Sequence, residues 1–176
     1  MLAWQSEYVT VTNPHMTANA LTASISIGGD QAWWFTGVYG PQGVGAKHAF
    51  LQELRDIRDL HAGPWMVAGD FNLIIDPEDK NQGVLHHAMM GRFRCTLSLL
   101  ELKEIYLNGR RFTWSNERQQ PTMEKLDRVF STVDWEERFP DAFLLANSSG
   151  PSDHYPLVLI LASDLQMGRR FQFQSY

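Results

Sequence analysis

The sequence predicts an α/β fold in which mixed β-sheets are layered against helices. Three observations carry this. Extended runs rich in β-branched and aromatic residues alternate with two longer segments whose apolar residues recur at helical spacing. Gly and Pro clusters fall between the two kinds of segment. The resulting order, β-β-α-β-α-β-β-α-β, neither repeats nor segregates strands from helices, which excludes a solenoid and favours sheets covered by helices.

The elements follow in turn. Tyr8-Val9-Thr10-Val11-Thr12 is β-branched and extended, and Asn13-Pro14 reads as a turn. Residues 21–27 alternate apolar and small polar side chains, and Gly28-Gly29-Asp30 turns the chain into the aromatic-rich run 32–39, a hairpin pattern. Gly40-Pro41-Gln42-Gly43 breaks that strand. From Lys47 onward Phe50, Leu51, Leu54, Ile57, Arg58 and Leu60 follow helical spacing, and Gly63-Pro64 ends the helix. Trp65-Met66-Val67-Ala68 is a short apolar run of the kind that makes a buried strand, ending on Gly69-Asp70. A second helix is predicted over residues 86–102, with Met89, Met90, Phe93, Leu97 and Leu100 on one face. Residues 111–115 and 125–131 read as strands, 134–139 as a short helix and 155–161 as a strongly apolar strand. The stretch 164–176 is polar, basic and aromatic, and reads as a linker-like tail after a domain spanning 1–163.

Composition narrows the function classes. A chain of 176 residues is one domain or a large part of one, and at this size about 70% of the unfolded surface is buried. Hydrophobic residues at 44% and charged residues at 20% exclude disorder as the default. Most of the six Trp and ten Phe are read as core. A net charge of −5 argues against holding nucleic acid by bulk charge alone. It leaves a metal-using nuclease open, because a divalent cation supplies positive charge where the phosphate sits. Arg110, Arg111, Lys125, Arg128, Arg169 and Arg170 are candidates for local basic patches, with solvated surface charge as the plain reading for most. The single Cys95 excludes an intramolecular disulfide and a cysteine zinc site. Its neighbours Phe93, Leu97 and Leu100 predict a buried thiol. No apolar run reaches membrane-spanning length and the N-terminus has no signal pattern, so a soluble, intracellular protein without a membrane partner is expected. His61, His86 and His87 are read as surface residues.

Three polar runs border the predicted strands: Gly69-Asp70-Phe71-Asn72, Leu126-Asp127-Arg128 and Ser152-Asp153-His154. Hydrolysing a phosphodiester near neutral pH requires an activated water, neutralised charge on phosphorus and a stabilised leaving oxygen. Mg²⁺ held by one or two carboxylates serves the last two needs. A carboxylate within hydrogen-bond reach orients and deprotonates the water. A histidine held by a carboxylate contacts the phosphoryl oxygens or serves as base. Asp70 and Asn72 point the same way if the strand continues through them. Asp153 and His154 are adjacent and splay to different sides, and Asp127 is a candidate for fixing the His154 tautomer. Each run alone has a plainer reading: a strand end with an Asx turn, a surface ion pair, a capped loop. The three together, in this order, point to a catalytic site.

Further runs join these: Val38-Tyr39-Gly40-Pro41, Trp65-Met66-Val67-Ala68 leading into Gly69-Asp70-Phe71-Asn72, Phe112-Thr113-Trp114-Ser115-Asn116, Leu126-Asp127-Arg128-Val129-Phe130 and Ser152-Asp153-His154-Tyr155-Pro156-Leu157. On these residues the chain resembles the endonuclease/exonuclease/phosphatase superfamily, and most of all the endonuclease domain of plant non-LTR (LINE-type) retrotransposons. The resemblance runs over residues 3–163, and Arg169-Arg170-Phe171-Gln172-Phe173 resembles the segment that follows this domain. It implies a DNase-like sandwich of two mixed β-sheets flanked by helices. It also implies Mg²⁺-dependent (or Mn²⁺-dependent) phosphodiester hydrolysis with DNA as substrate, and hence a nuclear location. By the same resemblance Asp70 positions or deprotonates the water, and Asn72 holds the scissile phosphate. Asp153 is a metal ligand or its water-mediated partner, and His154 contacts the phosphate with Asp127 orienting it. Tyr39 and Asn116 are implied as phosphate-binding, with Trp114 on the DNA-facing rim and Gln42 a weaker match.

The family's two opening strands, with a metal-associated Asn and the main magnesium-binding Glu, have no counterpart here. Glu7 leads into what reads as a later strand, and Asp30 sits in the hairpin turn. The domain is therefore expected to be incomplete at its N-terminus, with weakened metal binding, impaired catalysis and strands lacking ladder partners. Two alternatives remain: a non-catalytic remnant that binds nucleic acid weakly, and a phosphatase of the same superfamily. No protein partner is implied.

Overall fold

A computed structural model describes residues 6–147 and 152–161. In chain order its strands are β1 (Val9–Met16), β2 (Ala20–Ile27), β3 (Trp33–Tyr39), β4 (Trp65–Asp70), β5 (Lys103–Glu104), β6 (Leu107–Asn108), β7 (Trp114–Ser115), β8 (Met123–Glu124), β9 (Asp127–Ser131), β10 (Phe143–Ala146) and β11 (Leu157–Ile160). Its α-helices are α1 (Val44–Leu60), α2 (His87–Leu99) and α3 (Val133–Arg138).

The first three strands form an antiparallel meander. Gly28 and Gly29 both take positive φ (59° and 85°) at the β2–β3 turn, which a side chain would oppose. Asn13-Pro14 is a correction to the turn expected there. The strand runs on through it as a bulge, with Asn13 at φ 50° and the register shifting between Thr12 and His15. Helix α1 then carries the chain across to β4, which lies parallel to β3, since parallel neighbours need a crossover of this kind. Strand β9 pairs antiparallel with β4, and β5 pairs with β9, giving the order β1-β2-β3-β4-β9-β5. A second mixed sheet has the order β11-β10-β6, and β7-β8 is a separate ribbon.

Strand alternation splits the core in two. On one face of the large sheet, Val67 and Phe130 meet Phe50, Leu51, Leu54 and Ile57 of α1 and Met89, Phe93 and Leu97 of α2. Phe71 and Phe130 pack edge to face at 5.0 Å, and Phe93 meets Phe130 at 5.9 Å. On the other face Ala23, Ile25, Met66 and Val129 meet Leu107 and Leu144 of the second sheet, with Trp135 of α3 in the seam. The two sheets therefore lie face to face, with helical cover from α1 and α2 over one outer face. Between the sheets a cavity of about 540 Å³, lined by Phe35, Met66, Val129, Leu144, Leu157 and Leu159, opens at Asp127 and His154. Strand β11 is an edge strand. No helix among the described residues is long and apolar enough to cross a membrane.

Several boundaries differ from expectation. Helix α1 starts at Val44, and α2 stops at Leu99, where Leu100 caps it and Glu101 turns at φ 54°. Cys95 is exposed, not buried. It stands on the side of α2 opposite Phe93 and Leu97, whose spacing defines the buried face. The tail over 164–176 lies outside the described residues.

Candidate active site

Asp70 is the last residue of β4, and two glycines bring the backbone close enough to place it. A Cβ on Gly40 would lie 2.1 Å from the Phe71 carbonyl oxygen, and one on Gly69, at φ 142°, would lie 2.1 Å from that of Val38. Only glycine tolerates either approach. The Gly40 N–H donates to the Asp70 carbonyl at 2.6 Å, and Tyr39 lies beside Asp70 in the parallel ladder.

The strand does not continue through Asn72, so alternation is not what brings Asp70 and Asn72 together. Asn72 turns at φ 49°, and its backbone N–H donates to Asp70 Oδ1 at 2.8 Å, an Asx turn. Its side-chain Nδ2 donates to Asp70 Oδ2 at 3.0 Å and to the Gly40 carbonyl at 2.7 Å. Asn72 thus clamps the Asp70 carboxylate from backbone and side chain at once.

Asp127 opens β9 directly opposite Asp70 in the antiparallel ladder. The buried Thr113 hydroxyl oxygen accepts the N–H groups of Leu126 and Asp127 at 3.0 and 2.9 Å and fixes the entry of the strand. His154 reaches the pair from the loop before β11, where the Tyr155 N–H donates to the Thr113 carbonyl at 2.8 Å. Its Nδ1 lies 2.9 Å from Asp127 Oδ2 and its Nε2 lies 3.9 Å from Asp70 Oδ2. The carboxylate on Nδ1 favours the tautomer protonated there.

The electrostatics follow from this row of groups. Burial pushes the Asp70 pKa up, the Asn72 N–H works against that rise, and the Asp127 charge opposite adds to it. For His154 burial pulls the pKa down. The hydrogen bond and charge of Asp127, with the charges of Asp70 and Asp153, outweigh burial and leave it raised. A base made stronger and an imidazolium made more persistent therefore face each other.

The other expected residues lie around this row. Asp153 is exposed, and its Oδ2 accepts the Trp114 indole N–H at 2.9 Å. Asn116 shapes its own loop, its Oδ1 accepting the Thr122 N–H at 2.9 Å. Tyr39 is 68% exposed, its ring projecting where β3 ends. Arg128 corrects the basic-patch expectation. It is buried, its guanidinium bridging Asp79 and Glu104, the latter at 2.7 Å. Arg111 donates to the Glu78 carbonyl, Arg110 stacks over Tyr155 at 3.5 Å and Lys125 pairs with Glu104 at 2.7 Å. Arg169 and Arg170 lie outside the described residues. His61, expected at the surface, is half-buried and stacks on Trp34 at 4.0 Å.

Sequence reading missed the parts played by Thr113 and Lys47. Thr113 stands inside the Phe112-Thr113-Trp114 run, and a lone hydroxyl among aromatics is its signal. Lys47, half-buried at the start of α1, has its pKa lowered by burial and lies within electrostatic reach of Asp70 and Glu124. Its only signal was its place in a predicted helix.

Among the described residues no three His, Cys, Asp or Glu side chains converge as a metal site. Asp70 is engaged by Asn72, Asp127 by His154 and Asp153 by Trp114. These residues do not fit a magnesium ion by themselves.

Comparison with known proteins agrees with this layout. The family model described as Endonuclease/Exonuclease/phosphatase family matches residues 5–154. Among solved structures, the endonuclease domain of TRAS1, a telomere-specific non-LTR retrotransposon, superposes with a TM-score of 0.68 at 17% identity, covering 90% of this chain and 70% of that one. A 3′ phosphatase, NExo, from Neisseria, bound to product DNA hairpin, gives 0.62 at 17% identity, covering 88% and 70%. Beta toxin from Staphylococcus aureus, a mutant with bound magnesium ions, gives 0.57 at 15% identity, covering 80% and 57%. At these identities the likeness is one of fold. No curated protein matches the chain.

Proposed function

The chain belongs to the endonuclease/exonuclease/phosphatase family, and on that premise we propose that it is a DNA phosphodiesterase of the retroelement endonuclease type. The observation that carries the reading is the row Asp127–His154–Asp70, with 2.9 Å on one side of the imidazole and 3.9 Å on the other.

In this reading a phosphoryl group sits over Nε2 of the His154 imidazolium, whose N–H donates to a non-bridging oxygen as charge grows there. Asp127 keeps the proton on Nδ1 and, with it, the ring orientation. Asp70 accepts a proton from the attacking water as the new O–P bond forms and the bond to the leaving oxygen breaks, and that oxygen takes a proton from solvent. Asn72 holds the Asp70 carboxylate and borders the phosphate. Tyr39, beside Asp70 in the ladder, and Asn116 are assigned to phosphate binding, and Asp153, next to His154 in sequence, is assigned as a metal ligand or its water-mediated partner.

Magnesium is the cofactor the family reading brings, and one fold neighbour carries it. This chain's described ligands do not hold it unaided, and turnover is expected to be slow. That same shortage favours a second reading, a nucleic-acid binder without catalysis. A phosphatase remains the third. A nuclear location belongs to the same proposal and stands or falls with DNA as the substrate.

The test compares substrates with magnesium present: a supercoiled plasmid, whose nicking reports phosphodiester cleavage, and a 3′-phosphorylated oligonucleotide, which reports monoesterase activity. Nicking without phosphate release supports the proposal. Phosphate release alone selects the phosphatase reading, and DNA binding with neither activity selects the non-catalytic one.

A further inference from the structure

A second cavity, of about 390 Å³, opens beside Asn72 between the start of α1 and the start of α2. Its wall carries Lys47 and His48 from α1, Lys80, and His86, His87 and Arg92 at and after the start of α2. This collects cationic and imidazole side chains on a chain whose net charge is −5. One acid shares the wall, Glu124, and it is spent on Lys80 at 2.8 Å. Lys47 and Arg92 therefore dominate the charge of the groove, and the Lys47 ammonium reaches far enough to act on Asp70. Neither helix carries a side-chain cap at this end, so the positive ends of both helix dipoles add to the field.

The groove is continuous with the catalytic row through Asn72, which lines the cavity and also clamps Asp70. A free phosphate or mononucleotide would need one compact cradle. This wall instead spreads its cations over two helices and the segment between β4 and α2, which matches a run of phosphates. We infer that it is the track for the DNA strand beside the scissile phosphate, with Lys47, Arg92 and the imidazoles of His48, His86 and His87 holding backbone phosphates. The scissile phosphate itself is taken from the phosphodiesterase reading. The groove explains how an acidic protein holds a polyanion, by local rather than bulk charge.

The experiment measures binding without turnover. Fluorescence anisotropy of a short fluorescein-labelled DNA duplex is followed in EDTA across a NaCl series, with circular dichroism to check folding. The variants are the double replacement His87→Glu with Arg92→Glu, both exposed positions, and the control Lys103→Glu. Lys103 pairs with Ser131 at the far end of β9 from Asp127, so it repeats the charge reversal of Arg92→Glu without touching the groove. The double variant is expected to bind about tenfold more weakly and to lower the log–log salt slope by about one to two, one unit for each backbone phosphate no longer held. Lys103→Glu is expected to bind as the parent does, and inorganic phosphate at constant ionic strength is expected not to displace the duplex.

Four results would overturn the inference. They are no salt-dependent binding by the parent chain, a double variant with unchanged affinity and slope, equal weakening by Lys103→Glu, or full displacement by inorganic phosphate. Because no cleavage is measured, groove-dependent binding by a chain that never nicks DNA rejects the phosphodiesterase reading and leaves the groove standing. Nicking with groove-independent binding does the reverse.

Discussion

Replacing Arg128 by alanine is expected to destabilise the fold by about 3 kcal/mol, the lower end of the range for breaking a buried ion pair. The figure follows from the surroundings of the guanidinium. The Arg128 side chain is 1% exposed, while its partners Asp79 and Glu104 are 14% and 26% exposed. Both acids can partly rehydrate, and Lys125 remains on Glu104 at 2.7 Å, which holds the loss down. Asp79 also accepts the backbone N–H groups of Ile75 and Asp76, so the network ties the loop after Asn72 to β9. At roughly 2–4 °C for each kcal/mol in a domain of this size, the melting temperature should fall by about 6–12 °C. Urea denaturation followed by circular dichroism measures the change, and Arg128→Met, which keeps the apolar stem, should recover only part of it. A loss under about 1 kcal/mol for Arg128→Ala, the value of an exposed pair, would refute the structural role assigned to this network.

Asp127→Asn should bring the His154 pKa down and remove its preference for the Nδ1-protonated tautomer, both readable from imidazole ¹⁵N shifts in an NMR titration; an unchanged titration would contradict the pairing. The signs of the pH effects are opposite for the two groups. The raised His154 pKa contributes stability that is fully present below the ordinary value of 6.5 and lost as pH rises through the folded-state value. The raised Asp70 pKa means that its ionised form is a burden above the folded-state value, absent below the ordinary 3.8. Nicking should accordingly rise as Asp70 ionises and fall as His154 loses its proton, a bell-shaped profile whose alkaline limb Asp127→Asn moves to lower pH. Gly40→Ala should lower the melting temperature and the nicking rate together, because its methyl would meet the Phe71 carbonyl that precedes Asn72; a variant as stable and active as the parent would contradict the close approach.

The long, periodic parts of the fold were legible from sequence. Phe50, Leu54 and Ile57 mark α1, Phe93 and Leu97 mark α2, and the Gly28-Gly29 turn marks the β2–β3 hairpin. Strands β5, β6 and β8 were not legible, since two residues are too few to establish alternation. Phe143–Ala146 was missed although Pro140-Asp141 precedes it and Asn147-Ser148-Ser149-Gly150-Pro151 follows it, because four apolar residues in a row show no alternation that separates a strand from a buried loop. Asn13-Pro14 misled because the same residues that make turns also make bulges. At the site, the three polar runs named the residues that meet, but not how they meet. Asn72 reaches Asp70 through an Asx turn, and Arg128 turns inward to acids that are distant in sequence. Such long-range pairings leave no local pattern to read.

In the proposed reading Asp70, Asp127 and His154 act as one hydrolytic centre. Its most direct test is the nicking of supercoiled plasmid with magnesium by the purified 176-residue chain, beside Asp70→Asn and His154→Ala. The parent chain should accumulate open circles slowly, and each variant should lose about a hundredfold or more of that rate. Nicking by either variant at the parental rate, or a parent chain that binds DNA and never nicks it, would contradict the claim.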